Sequence, residues 1–163
     1  MKRCFGLLLA VLLLAAPAFA GQKEGKVTLS PMLGGIVFEG DQHIDDDVAY
    51  SLGLGYNFTK AFALEAVVAG ANSEFESGGD ADLTTLRLDA LYHFMADGDL
   101  VPYVSAGVGN YNLEGDNEFM FDYGVGLLWY FADNVALRGD VRGLSATNES
   151  NLENNLLYTA GLK

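Results

Sequence analysis

The sequence predicts an all-β fold, an eight-stranded antiparallel up-and-down transmembrane β-barrel. Three observations predict it. Eight segments alternate large apolar residues with small or charged ones, the period-two mark of strands. Short and long connections follow one another in turn, as in a meander with turns at one rim and loops at the other. The apolar set is also too bulky for the inside of so narrow a barrel.

The chain has 163 residues, a length for one domain. It opens with "MKRCFGLLLAVLLLAAPAFA". Lys2 and Arg3 make a positive n-region, Phe5 to Ala16 an apolar h-region, and Ala18–Ala20 a small-x-small cleavage site. Residues 1–20 therefore read as a secretory signal peptide, too short to span a bilayer. Residues 21–163 read as the barrel domain. The sole cysteine, Cys4, lies in the n-region and precedes the h-region, so it is not placed as a lipoprotein acceptor. Without it the exported chain has no disulfide, thiolate metal ligand or Cys nucleophile.

The expected strands run Val27–Phe38, Val48–Phe58, Ala61–Ala71, Leu83–Phe94, Val101–Asn110, Phe119–Phe131, Val135–Leu144 and Asn155–Lys163. No segment has a convincing helical period. The second, fourth and sixth connections are short: "TK", "MADGDL" and "ADN". The first, third, fifth and seventh are longer and polar: "EGDQHIDDD", "NSEFESGGDAD", "YNLEGDNE" and "SATNESNLEN". An even number of such strands lets the sheet close on itself.

Face assignment follows from size. In "FDYGVGLLWYFADNVALRGD", residues 121–140, Phe121, Tyr123, Val125, Leu127, Trp129 and Phe131 hold alternate places. Asp122, Gly124, Gly126, Leu128 and Tyr130 lie between them. In the second strand Val48, Tyr50, Leu52, Leu54 and Tyr56 oppose Ala49, Ser51, Gly53 and Gly55. In the fourth, Leu86, Leu88, Ala90 and Tyr92 oppose Thr85, Arg87, Asp89 and Leu91. The lumen of eight strands is only just wide enough for side chains. The bulky apolar face must then point outward, toward lipid. Aromatics near both strand ends, with aliphatics between, match the two interfaces of a bilayer. Strands of this length suit a tilted span, and closure pairs every backbone amide without water.

Charge follows the same division. The formal net charge is −13. Removing Lys2 and Arg3 leaves 7 basic against 22 acidic residues, a net charge of −15. No basic footprint for nucleic acid exists, so that partner is excluded. The four long connections hold 14 of the 22 acids and no Lys or Arg. Long loops are the outward ones in outer-membrane barrels, so both chain ends are expected on the periplasmic side.

Seven charges fall on the inward face: Glu65, Arg87, Asp89, Asp122, Arg138, Asp140 and Arg142. Unpaired, they would be costly in so narrow a space. A mutual network is expected, a plug of ion pairs with Arg138 as the hub. The acidic runs "DQHIDDD" and "DGD" lack EF-hand spacing. They read as solvated loops, with divalent bridging to anionic lipopolysaccharide as the alternative. His43 stands beside Asp41, Asp45 and Asp46, and His93 has no Ser at i±2. Neither histidine makes a catalytic constellation, so no catalytic, cofactor-binding or metal site is assigned. A lipocalin-like carrier would need its aromatics inside.

The pieces "YHF", "PYVSAGVG" and "GVGLLWYF", the last continuing into "ALRGDVR", resemble the barrel domain of OmpA- and OprF-like outer-membrane proteins. The likeness spans about 26–163. It implies a Gram-negative outer membrane, no cofactor, lipid and lipopolysaccharide as surroundings, and a largely structural role. It also offers a second reading of the seven charges, as the gate of a narrow porin-like pore. A lipid-modifying outer-membrane enzyme is the remaining alternative. In such proteins a further domain often binds peptidoglycan. The chain stops at "YTAGLK", without that domain and without the usual terminal aromatic. It reads either as a piece of a longer protein, the reading preferred, or as a barrel-only member with an unusual last strand.

Overall fold

The computed structural model describes residues 21–37, 47–74, 80–113, 116–147 and 152–163. The expected signal peptide, His43 and seven of the 14 expected loop acids lie outside the described residues. Eight strands follow in order: β1 (Val27–Val37), β2 (Asp47–Asn57), β3 (Phe62–Glu74), β4 (Asp80–His93), β5 (Leu100–Leu113), β6 (Asp116–Ala132), β7 (Val135–Thr147) and β8 (Leu152–Leu162). Each pairs antiparallel with its sequence neighbour, and β1 pairs with β8, closing the barrel. No helix occurs among the described residues.

The alternation decides which way each side chain points. Leu88 is 52% exposed and its neighbour Asp89 is 0% exposed. Val48, Tyr50, Leu52, Leu54 and Tyr56 are all exposed, as are Phe121, Tyr123, Val125, Leu127 and Trp129. The outer belt is thus apolar all round. Three of its tyrosines lie directly opposite glycines on the next strand: Tyr50 opposite Gly70, Tyr123 opposite Gly143, and Tyr158 opposite Gly35. Each ring folds over its glycine, where a Cβ would meet ring atoms.

Two expectations are corrected. The strands rise further at the long-loop end than hydrophobic alternation suggested. Asp47, Glu74, Asp80, Asp82, Asp116, Glu118 and Glu153 lie in strands, not loops. The fifth connection is not long at all, since Leu113 pairs directly with Asp116. Backbone pairing continues where neither face needs to be apolar, so the pattern stops before the ladder does.

The lumen also holds more bulk than small residues and paired charges. Toward the short turns it is filled by Ala63, Leu91, Val101, Tyr103, Leu128, Tyr130 and Ala136, all buried. These residues share the inward parity of the charges but sit nearer the mouth. The interior is therefore layered, apolar and aromatic at one end, ionic in the middle.

Candidate functional site

All seven charges expected on the inward face are buried and meet in one network, and Lys163 is a further buried charge. Two arginines of β7 organise it. Arg138 Nη1 donates to Glu65 Oε1 at 2.8 Å and Oε2 at 2.7 Å, across the barrel on β3. Its Nε donates to Asp140 Oδ2 at 2.9 Å and to the Tyr103 hydroxyl at 2.8 Å. Ser30 on β1 accepts from Arg138 Nη1 at 3.1 Å and donates to Glu65 Oε2 at 3.2 Å. The Tyr103 hydroxyl donates in turn to Asp140, and the guanidinium lies 5.4 Å from the Tyr103 ring centroid. Arg138 thus engages two carboxylates and two hydroxyls from four strands, a use that suits its planar fork.

Nearer the long loops, Arg142 Nη1 donates to Asp89 Oδ2 at 2.8 Å and Asp122 Oδ1 at 2.7 Å. Its Nη2 stands 3.6 Å from Asp140 Oδ1, which joins the two arginines through one aspartate. Arg87 Nε donates to Asp89 Oδ2 at 3.1 Å. The satisfaction of the two layers differs. Arg87 Nη1, Asp89 Oδ1, Asp122 Oδ2 and Arg142 Nη2 are buried without a hydrogen-bond partner in the protein, as are Thr85 Oγ1 and Ser105 Oγ. No buried side-chain nitrogen or oxygen of Ser30, Glu65, Tyr103, Arg138 or Asp140 is in that state.

Glycines make the room. Tyr103 reaches Asp140 across Gly126, and a Cβ on Gly126 would overlap the Tyr103 ring. A Cβ on Gly53 would come within 2.8 Å of the Glu65 carboxyl carbon. One on Gly107 would strike both Asp89 and Asp122. The inward glycines are thus the floor on which charged side chains lie.

Sequence reasoning identified the charges but not their hydroxyl partners Ser30 and Tyr103. A signal existed for Tyr103. It shares inward parity with Ser105, Gly107 and Gly109, so it is an aromatic beside a run of small residues. A second polar cluster was also missed, at the short-turn mouth. Gln22 Nε2 donates to Asn57 Oδ1 at 3.2 Å and approaches His93 Nε2 at 3.1 Å, and Tyr130 donates to Gln22 Oε1. His93 Nδ1 stands 3.3 Å from the Ala61 carbonyl. The tautomer satisfying both contacts carries its proton on Nδ1 and accepts from Gln22 at Nε2. His93 is 2% exposed and faces the lumen.

An apolar outer belt around a packed, ion-paired interior defines the class: a membrane-spanning β-barrel whose lumen is filled by its own side chains. A sequence model of the outer membrane protein beta-barrel domain matches residues 6–162, and the chain belongs to that family. Solved structures share the fold. The N-terminal β-barrel domain of OprF from Pseudomonas aeruginosa is 23% identical, covers 87% of this chain and 100% of its own, and superposes with a TM-score of 0.55. OprG from the same organism is 15% identical, with coverages of 89% and 97% and a TM-score of 0.61. Neisserial surface protein A is 13% identical, with coverages of 84% and 97% and a TM-score of 0.66. At these identities the likeness is one of fold. A search of functionally curated proteins gave no match.

Proposed function

We propose that this chain resides in the outer membrane as a non-enzymatic barrel that serves membrane integrity and passes no solute at rest. The observation that carries this reading is the filled lumen. An apolar layer that includes Tyr103, Leu128 and Tyr130 lies beneath an ionic layer of four carboxylates and three guanidiniums. The apolar belt is the surface for lipid acyl chains. The acids of the long connections are the groups that divalent cations would bridge to lipopolysaccharide. Against catalysis, His93 faces the lumen with both ring nitrogens in contact with Gln22 and the Ala61 carbonyl.

The test is fractionation. The protein should partition with the outer membrane and migrate differently on gels before and after boiling. Recovery as a soluble periplasmic protein without detergent would reject the reading.

One observation favours a second reading, a narrow pore gated by the network. Arg142 faces three carboxylates at 2.7, 2.8 and 3.6 Å, so ion pairs here have alternative partners. Planar-bilayer recording of the wild type beside Arg138→Ala separates the two. A plug that is only structural leaves conductance at baseline, whereas a gate raises conductance or open probability.

A further inference from the structure

The segment before β1 is not a loose tail. From Gly21 to Lys26 it runs under the short-turn mouth of the barrel, tied at each step. Gln22 N donates to the Ala96 carbonyl at 2.9 Å, in the β4–β5 turn. Asn57 at the end of β2 takes the strap on both sides. Its Nδ2 donates to the Lys23 carbonyl at 2.9 Å, its N donates to the Lys26 carbonyl at 2.9 Å, and its carbonyl accepts from Gly25 N at 2.7 Å. Lys23 Nζ donates to Asn134 Oδ1 at 3.1 Å, in the β6–β7 turn. Gly25 has φ +71°, a left-handed turn that only glycine takes freely, and it lets the chain fold back into β1.

The strap's inward side chain is Gln22, which is 2% exposed. Its amide spends both ends on lumen residues: Asn57 and His93 as acceptors, Tyr130 as donor. These residues belong to β2, β4 and β6, so one side chain ties together three strands around the mouth. Lys23, Glu24 and Lys26 stand on the partly or fully exposed side. We propose that the strap is a lid, with Gln22 as its stopper, and that it closes the short-turn mouth in series with the ionic network.

Two features make it a separable barrier. Gln22 is held within the mouth by neutral hydrogen bonds, each costing far less to lose than one partner of a buried ion pair. No hydrogen bond joins Gln22 to any of the seven network charges among the described residues. Opening one closure therefore need not open the other.

Thiol accessibility tests the lid directly, because Cys4 is the sole cysteine and lies in the expected signal peptide. Ala63→Cys places a reporter behind the stopper, on a buried position that pairs with Asn57 and Leu91. A charged methanethiosulfonate reagent should modify it slowly in the otherwise native chain. Adding Gln22→Ala should raise that rate about tenfold or more, the factor that one or two net hydrogen bonds are worth. Gln22→Glu keeps the acceptor for Tyr130 and loses the amide donor, and it should accelerate labelling too. It serves where the alanine variant no longer shows heat-modifiable migration. Equal rates with and without a folded Gln22 variant would overturn the lid.

Conductance supplies the second arm, which rests on the gated-pore reading. Two barriers in series predict that Gln22→Ala alone leaves the lumen closed, that Arg138→Ala alone raises conductance only in part, and that the double variant raises it further. Full conductance from Arg138→Ala alone would overturn the lid. A silent double variant whose reporter still labels faster would leave the lid standing and remove the pore.

Discussion

Arg138 and Arg142 share one face of β7 and one lumen, yet they are held differently. Around Arg138 the partners are complete. Glu65 accepts from it and from Ser30, while Asp140 accepts from it and from Tyr103. Around Arg142 the carboxylates are only half used, since Asp89 Oδ1 and Asp122 Oδ2 have no donor in the protein. The difference follows from what surrounds each layer. Beneath Arg138 lie aromatic and aliphatic side chains that exclude water, and a buried polar atom there must find a protein partner. Around the Arg142 layer Met120, Leu144 and Leu157 are buried too, but no hydroxyl donates to its free carboxylate oxygens as Ser30 and Tyr103 do to Glu65 and Asp140. The Arg138 layer is therefore a structural lock, and the Arg142 layer is where the network can rearrange.

Arg138→Ala is the largest expected break. It strands Glu65 and Asp140 together, and losing one partner of a buried pair costs about 3–5 kcal/mol. Urea unfolding in lipid vesicles should show a correspondingly lower midpoint. Arg142→Ala should cost less, about 1–3 kcal/mol, because Asp89 keeps Arg87 as a donor. Equal or reversed losses would erase the distinction between the layers.

Hydroxyl deletions sharpen the same contrast. Tyr103→Phe removes the bridge between Arg138 and Asp140 and should cost about 0.5–1.5 kcal/mol. Ser105→Ala removes a hydroxyl with no partner, so the unfolding midpoint should stay level or rise. A loss at Ser105 comparable to that at Tyr103 would mean that the Arg142 side is as tightly satisfied as the other.

The smallest effect is expected outside the barrel. Lys60 pairs with Asp97 across two short turns, and that hydrogen bond raises its pKa above the ordinary lysine value. Both side chains are exposed, at 54% and 80%, and exposed pairs add little. Lys60→Ala should leave the unfolding midpoint unchanged at neutral pH, which sets the baseline for the interior variants.

Much of this was legible in the residues. Strand number, antiparallel order and face assignment come from alternation, because one covalent rule sends successive side chains to opposite sides. The same rule puts Leu88 in the belt and Asp89 in the lumen. It also collects the seven charges on one face, and burial then demands that they pair. The sequence alone therefore determined the barrel, its apolar belt and the membership of the network.

Only the closed structure decided the pairing. Glu65 reaches Arg138 from β3 to β7, across strands that never share a ladder, and barrel closure and tilt set which wall faces which. The height of the strands was also beyond the pattern. Ladders at Glu74 or Asp116 rest on backbone pairing, which leaves no trace in side-chain polarity. Gln22 is the clearest case. Nothing local marks it as a core residue, and it is buried because Asn57, His93 and Tyr130 are brought to one mouth by three different strands.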